Sequence, residues 1–322
     1  MALYGVPAPA KLNLFLHVVG RRADGYHLLQ TVFRFIDLSD SLDFDLRADG
    51  QVSCDNPGLG GAADDDLVVR AARALQQAAG VRAGAHIVCR KNIPMGGGLG
   101  GGSSDAATTL IALNRLWGAG LSRSELMRLG LSLGADVPVF VFGQSAFAQG
   151  VGEDLAAVDL PPRAYVVAQP CRSVPTQAIF QAPELTRNTA YVTIAVFSDW
   201  QKNSSGRGSG WQGHARSPNG LGGPGVPGLF GRNDLEPVAC AMYAEVGRLA
   251  EWFRECGVEA RMTGSGSCFF AEFASMDQAR ACQREITARI PPDSKGGEAP
   301  AIKRSWVCQG LAEHPLRHWI SS

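Results

Sequence analysis

Pro94 to Ser104, PMGGGLGGGSS, carries six glycines in the seven positions 96–102, and an apolar helical pattern follows at once. Glycine loses more backbone freedom on folding than any other residue, so a run this dense must serve a purpose. A phosphate cradle is one. Without side chains in the way, main-chain N–H groups can close on an anion, and the following helix turns its positive end toward it. On this reading Gly96, Gly97, Gly98, Leu99, Gly100, Gly101 and Gly102 supply amides, while Ser103 and Ser104, placed as N-cap hydroxyls, add donors. The plain alternative is a tightly packed turn. The loop has no lysine, which excludes the GxxxxGK[ST] nucleotide loop. Gly96-x-Gly98-x-x-Gly101 matches the dinucleotide fingerprint, but that motif needs a second strand ending in an acid about 20 residues on. Here that region is LWGAGLSRSEL, the joint between two helices, so the dinucleotide reading fails.

Two further residues could do chemistry. Lys11 lies inside an apolar strand pattern, AKLNLFL. Burying an unpaired ammonium is costly, so it either reaches the surface along its methylene stem or meets a carboxylate. Asp136, in GADVP, reads on its own as a turn residue.

The elements that must position these residues alternate in type. Strand patterns occupy LNLFLHVVG, TVFRFIDL, SLDFDLRA and AHIVCRKNI, and DDDLVVRAARALQQAAG is helical, with an acidic start and a glycine end. After the glycine loop, SDAATTLIALNRLWG predicts a helix capped by a serine and stopped by Gly118. SRSELMRLGLSLG opens with a capping box, Ser122 and Glu125. DVPVFVFGQSAFAQGVGE reads as strands. A boundary near Leu160-Pro161-Pro162 divides the chain into 1–160 and 161–322. The second part opens with the strand AYVVAQP and holds helices over EPVACAMYAEVGRLAEWFREC and SMDQARACQREITARI, with the strands of ARMTGSGSCFFAEF between them. Strands and helices mixed in both halves predict an α+β chain of two layers. Residues 201–231 are rich in Gly, Ser and Pro without apolar periodicity, which predicts a flexible insert.

Bulk properties narrow the partners. Thirty basic residues balance thirty acidic ones, so nothing global attracts nucleic acid or an anionic membrane, and any anion recognition must be local. No apolar run approaches the roughly 20 residues that span a bilayer. The N-terminus lacks the basic start of a signal peptide, and eight scattered cysteines form no CxxC pair. Reduced thiols and a cytoplasmic location are expected.

The motifs also carry a resemblance. Pro94-x-x-x-Gly98-Leu99-Gly100-Gly101-Gly102-Ser103-Ser104 is similar to the PxxxGLGSSAA phosphate loop of the GHMP small-molecule kinases. PAPAKLNLFLHVVGRRADGYHLLQTVF and LGADVPVFVFG resemble signatures of the branch that acts in the non-mevalonate route to isoprenoid precursors. RMTGSGSCFFAEF resembles the superfamily's C-terminal glycine motif. The similarity covers nearly all of the chain except the glycine-rich insert.

Membership would imply a two-domain GHMP kinase fold, with an N-terminal domain like ribosomal protein S5 domain 2, a ferredoxin-like C-terminal domain and the active site between them. It implies ATP as phosphoryl donor, Mg2+ to shield the triphosphate, and a cytidine-diphosphate-linked sugar alcohol phosphorylated on its 2-hydroxyl. Asp136 takes the role of base and Lys11 that of its cationic partner. Lys91, Asp66 and Leu67 fall at positions lining the ATP base pocket, although Asp66 reads equally as a helix-start carboxylate. Tyr26, His27 and Phe180 would hold the pyrimidine, with Asn13, Phe33 and Thr176 lining the same pocket. Read without the resemblance, His27 belongs to an exposed turn and Phe180 to the core. The sequence shows no metal-ligand set, so the ion is expected to rest on phosphate and water, touched at most by Ser104 or Asp136. The expected partner is a small molecule, with no nucleic acid or membrane, and the chain is expected to be a monomer or weak homodimer. Two alternatives stand: another GHMP activity of the homoserine or mevalonate type, and a silent binding protein that keeps the fold. The latter would be expected to have lost Lys11 or Asp136.

Overall fold

The structure, a computed structural model, describes residues 1–56, 66–204, 229–289 and 302–320. The first half is built on one long antiparallel hairpin, β1 (Ala2–Arg21) and β2 (His27–Arg47). TVFRFIDL and SLDFDLRA form a single strand rather than two. Between them Leu38-Ser39-Asp40 offers no Gly or Pro to turn on, and a register shift at Pro9/Ala10 in β1 keeps the pairing continuous. Along its other edge β2 pairs with β4 (Gly84–Arg90) through Ser41–Arg47 and with β5 (Ala146–Gln149) through Thr31–Phe33. β3 (Val52–Asp55) lies parallel to β4, and β6 (Asp154–Ala157) antiparallel to β5.

Four helices cover this sheet: α1 (Leu67–Ala79), α2 (Gly101–Leu116), α3 (Arg123–Leu133) and α4 (Val137–Phe142). The shared core includes Phe35, Phe44, Leu110, Leu113 and Phe140. α1 ends at Gly80 in the left-handed region, and α3 carries the expected Ser122–Glu125 capping box. The stretch expected as strand over 137–142 is instead a short helix. Pro138 fits its first turn, where no N–H is needed, and Gly143 at φ 76° ends it.

The second half is a four-stranded antiparallel sheet in the order β10-β7-β9-β8, from β7 (Ala164–Pro170), β8 (Arg261–Met262), β9 (Phe269–Phe273) and β10 (Ile302–Gln309). It carries α5 (Thr176–Gln181), α6 (Ile194–Ser204), α7 (Glu236–Met242), α8 (Ala244–Glu255) and α9 (Met276–Ala288). The helix expected over 236–256 breaks at Tyr243, whose φ −128° and ψ 100° are extended. α5, α6 and β10 went unpredicted. Most of the expected insert, 205–228, lies outside the described residues, but its edges are built in. Gln201 continues α6, and the Phe230 ring stands 5.1 Å from Phe15 and 5.2 Å from Phe197.

The halves are laced together. Leu16 N donates to Arg232 O at 2.9 Å, Asp234 N to Leu16 O at 2.8 Å, and Val18 N to Asp234 Oδ2 at 2.8 Å. The end of the chain crosses back: Leu316 and Ile320 belong to the first half's core, so a single cut near 160 does not separate two packed bodies. All eight cysteines are free thiols, and among the described residues no helix is long and apolar enough to cross a membrane.

Candidate active site

The glycine loop is clamped from both sides. On one side β1 runs past it, and Lys11 N donates to Leu99 O at 3.0 Å. On the other, the turn between β8 and β9 donates Ser267 N to Gly96 O at 3.2 Å and Cys268 N to Gly97 O at 3.1 Å. Thr263 Oγ1 donates to Gly98 O at 3.4 Å and accepts Asn13 N at 2.9 Å. These contacts explain the glycines. Gly96, Gly98 and Gly100 sit at φ 65°, 75° and 73°, where side chains are disfavoured. A Cβ on Gly98 would lie 2.0 Å from Thr263 O, and one on Gly97 2.7 Å from Cys268 Sγ.

The carbonyls of residues 96 to 99 are therefore all occupied, those of 96 to 98 by the β8–β9 turn and that of 99 by β1. In a trans peptide the N–H points opposite to the preceding C=O, so the amides of Gly97, Gly98, Leu99 and Gly100 face away from those donors. None of the four has an acceptor among the described residues. α2 starts directly behind them. Its first i−4 bond is Ser104 N to Gly100 O at 2.8 Å, which leaves the amides of Gly101, Gly102 and Ser103 unmatched at the positive end of the helix.

The serines are placed otherwise than expected. The N-cap is Gly100, without a side-chain cap, and Ser103 and Ser104 stand inside the first turn. Ser104 is fully buried, and its hydroxyl donates to Pro9 O at 2.7 Å, tying α2 to β1 rather than extending the cradle.

Lys11 and Asp136 meet beside this loop. Lys11 Nζ lies 3.3 Å from Asp136 Oδ2, with the lysine side chain 3% and the aspartate 37% exposed. The ammonium also donates to Asn13 Oδ1 at 2.5 Å and stands 5.5 Å over the Phe33 ring. Asn13 is fixed in turn by its amide, which donates to Thr31 Oγ1 at 2.9 Å. A Cβ on Gly100 would come within 3.1 Å of Lys11 Cε, so the lysine stem packs against the loop itself. Asn13 and Phe33 are both buried and support the lysine.

The residues expected around the ATP base divide. Leu67 lies beside the start of α2, 3.5 Å from where a Gly102 Cβ would stand, and Pro94 packs under Gly97. Asp66 is the N-cap of α1, accepting Val68 N at 2.8 Å and Asn56 Nδ2 at 3.2 Å, as the helix-start reading has it. The Lys91 ammonium donates to both Asp40 and Asp105, so it joins the end of β4 to β2 and α2. Burial pushes the Asp105 carboxyl up to about 7, opposed by the Lys91 charge.

A second cluster forms at the turn of the β1–β2 hairpin. The His27 and Phe180 rings lie 5.0 Å apart with 32° between their planes. Arg187 Nε donates to His27 Nε2 at 3.1 Å. Burial, then the charges of Arg187 and Arg21, hold the His27 pKa below its ordinary value. Tyr26 next door is 65% exposed, an open aromatic face. Thr176, at the start of α5, which carries Phe180, shares a 2.6 Å hydrogen bond with Ser265 and so links this cluster to the β8–β9 turn that clamps the glycine loop. Arg187 had no sequence signal, since 160 residues separate it from its partner.

Comparison with known proteins agrees with this architecture. Family models described as GHMP kinases N terminal domain and GHMP kinases C terminal match residues 66–144 and 228–291. The chain is 58% identical to the 4-diphosphocytidyl-2-C-methyl-D-erythritol kinase of Bordetella parapertussis over 100% of both chains. It is 50% identical to that of Dechloromonas aromatica over 96% of this chain and 98% of the other. A crystal structure of 4-(cytidine 5'-diphospho)-2C-methyl-D-erythritol kinase superposes with a TM-score of 0.73 at 31% identity, covering 96% of this chain and 99% of that one. The homoserine kinase of Cytophaga hutchinsonii, at 15% identity and a TM-score of 0.64 over 97% of this chain and 95% of that one, shares the fold.

Proposed function

The chain belongs to the 4-diphosphocytidyl-2-C-methyl-D-erythritol kinase branch of the GHMP kinases and is an ATP-dependent small-molecule kinase, and on that premise we propose that Asp136, assisted by Lys11, drives transfer to the 2-hydroxyl of the cytidylated alcohol. The acceptor oxygen attacks the terminal phosphorus, the bond to the bridging oxygen breaks, ADP leaves, and the hydroxyl proton passes to Asp136.

The observation that carries this reading is the Lys11–Asp136 pair, 3.3 Å apart and set against the glycine loop. Such a transfer asks the protein mainly for positioning and for charge stabilisation. The open loop amides and the start of α2 suit the triphosphate, and the buried ammonium suits charge on the moving phosphoryl group. Its contact with Asn13 holds the ammonium beside the carboxylate.

Magnesium would shield the triphosphate in such a reaction. Among the described residues no group of three or more His, Cys, Asp or Glu side chains could hold a metal, and the Ser104 hydroxyl is buried against Pro9 O. The ion would therefore rest mainly on phosphate oxygens and water.

The His27–Phe180 cluster favours an acceptor with an aromatic base over homoserine or mevalonate, which have nothing to stack. The test is ADP release measured with ATP and a panel of alcohols. Release that depends on the cytidylated alcohol and is lost in Asp136→Asn supports the proposal. Equal release with homoserine or mevalonate, or a fully active Asp136→Asn, overturns it.

A further inference from the structure

Arg187 lies outside every motif that identifies the chain, yet it holds the hairpin-turn cluster together. Its guanidinium makes a fan of bonds to one small region. Nη2 donates to Phe180 O at 3.1 Å and to Ala182 O at 2.7 Å, and Nη1 donates to Leu185 O at 3.0 Å. The remaining nitrogen, Nε, donates to His27 Nε2 at 3.1 Å. One side chain thus fixes both the backbone that carries the Phe180 ring and the edge of the His27 ring that faces it.

The chemistry of that last bond is one-sided. A guanidinium stays protonated and has only donors to offer. The His27 nitrogen facing it must then present a lone pair, because a second N–H would set donor against donor and charge against charge. A neutral imidazole carries one proton, so that proton sits on Nδ1. Nδ1 has no hydrogen-bond partner among the described residues. The charged groups around the ring, Arg187 from the segment after α5 and Arg21 from the end of β1, both oppose a second proton, as does its burial.

We propose that Arg187 is a positioning residue that locks His27 in its Nδ1–H tautomer, and that this donor makes the acceptor site select cytosine over uracil. The inference rests on the reading that His27 and Phe180 receive the pyrimidine. Cytosine carries a lone pair on ring nitrogen N3, where uracil carries N–H. A fixed donor pairs with the first and collides with the second. Had Nε2 carried the proton instead, Nδ1 would be an acceptor and the preference would invert.

The test uses the full-length enzyme with 15N-labelled histidine, without ligand, near pH 7.5. Long-range nitrogen–proton correlation spectra report which nitrogen of each ring is protonated, and His27→Gln identifies the His27 signal. The wild type should show a protonated Nδ1 and a bare Nε2. Arg187→Met should lose that pattern, and Arg187→Lys, which keeps a cationic donor, should recover part of it.

In kinetics, Arg187→Met should raise KM for the cytidine-linked acceptor about 10-fold, the scale of one unmatched polar group, with KM for ATP and kcat within about 2-fold. Its preference for the cytidine-linked over the uridine-linked alcohol should narrow by a similar factor. A wild-type His27 protonated on Nε2 or on both nitrogens would overturn the proposal, whatever the variants do. So would an unchanged cytidine preference in a folded Arg187→Met whose tautomer has shifted. Should Arg187→Met fail to fold, the wild-type spectrum and Arg187→Lys decide. If the wild type does not phosphorylate the cytidine-linked alcohol, the functional reading falls, while the spectrum still decides the arginine–histidine coupling by itself.

Discussion

Lys11 and Asp136 form an ion pair of unequal access: the ammonium is sealed beneath the glycine loop and the carboxylate stands 37% exposed, 3.3 Å away. That asymmetry suits a base that must meet an external hydroxyl. A positioned proton acceptor contributes ~10²–10⁴-fold to rate. Asp136→Asn should therefore lower kcat by that order while the KM values for ATP and acceptor stay within about threefold. Steady-state assays of ADP release check this, and a variant with near-normal kcat would remove Asp136 from its role.

The loop glycines differ in what they tolerate. Gly98→Ala places a Cβ 2.0 Å from Thr263 O at φ 75°. Left-handed strain alone costs roughly 1–2 kcal/mol, and the clash forces the loop off its clamp, so both stability and ATP affinity should fall. Gly102→Ala meets only Leu67 Cδ1 at 3.5 Å, an ordinary contact, and lies in the first turn of α2. Its stability should match the wild type or exceed it by up to ~1 kcal/mol. Urea unfolding of both variants makes the comparison.

Phe180 offers its ring 5.0 Å from His27. Phe180→Ala should raise KM for the cytidylated acceptor by about 5- to 150-fold, since base–aromatic stacking is worth about 1–3 kcal/mol, and leave KM for ATP within about twofold. Equal effects on the two substrates would argue against stacking.

The Asp40–Lys91–Asp105 cluster sets a stability that depends on pH. The folded protein holds the Asp105 carboxyl at about 7, raised mainly by burial, whereas an unfolded aspartate titrates near 3.9. Between these values the folded state keeps a proton that the unfolded chain releases. The contribution is complete below about pH 4 and is lost as pH rises toward 7. Asp105→Asn, a neutral mimic of the protonated side chain, should therefore gain stability relative to wild type from pH 5 to pH 7.5 in urea titrations. Lys91→Met leaves Asp40 and Asp105 buried together without the cation between them and should cost ~3–5 kcal/mol.

Much of this was legible in the sequence because it is local. The glycine run, the Ser122–Glu125 cap and the strand pattern around Lys11 each lie within a few residues, and motif resemblance placed Asp136 beside Lys11 across 125 positions. What escaped was decided at a distance or by punctuation. The apolar run VPVFVF has no period that separates strand from helix, and Pro138 and Gly143 settled it. Ser104 looked like a cap until β1 supplied Pro9 O as its partner. The ammonium of Lys91 was drawn to Asp40, 51 residues away, and no pattern near Lys91 announces that carboxylate. The resemblance put Lys91 in a pocket; burial of two acids beside it explains where its charge went.

The clamp on residues 96–98 is made by atoms that follow them by some 170 positions, from Thr263 to Cys268. Any hybrid enzyme assembled from the front of one relative and the back of another must reproduce that seam, along with the pairing of Leu16 to Arg232 and Asp234. Loop and turn form one object, and an exchange that splits them would undo the clamp on the glycine loop while leaving every signature of the family intact.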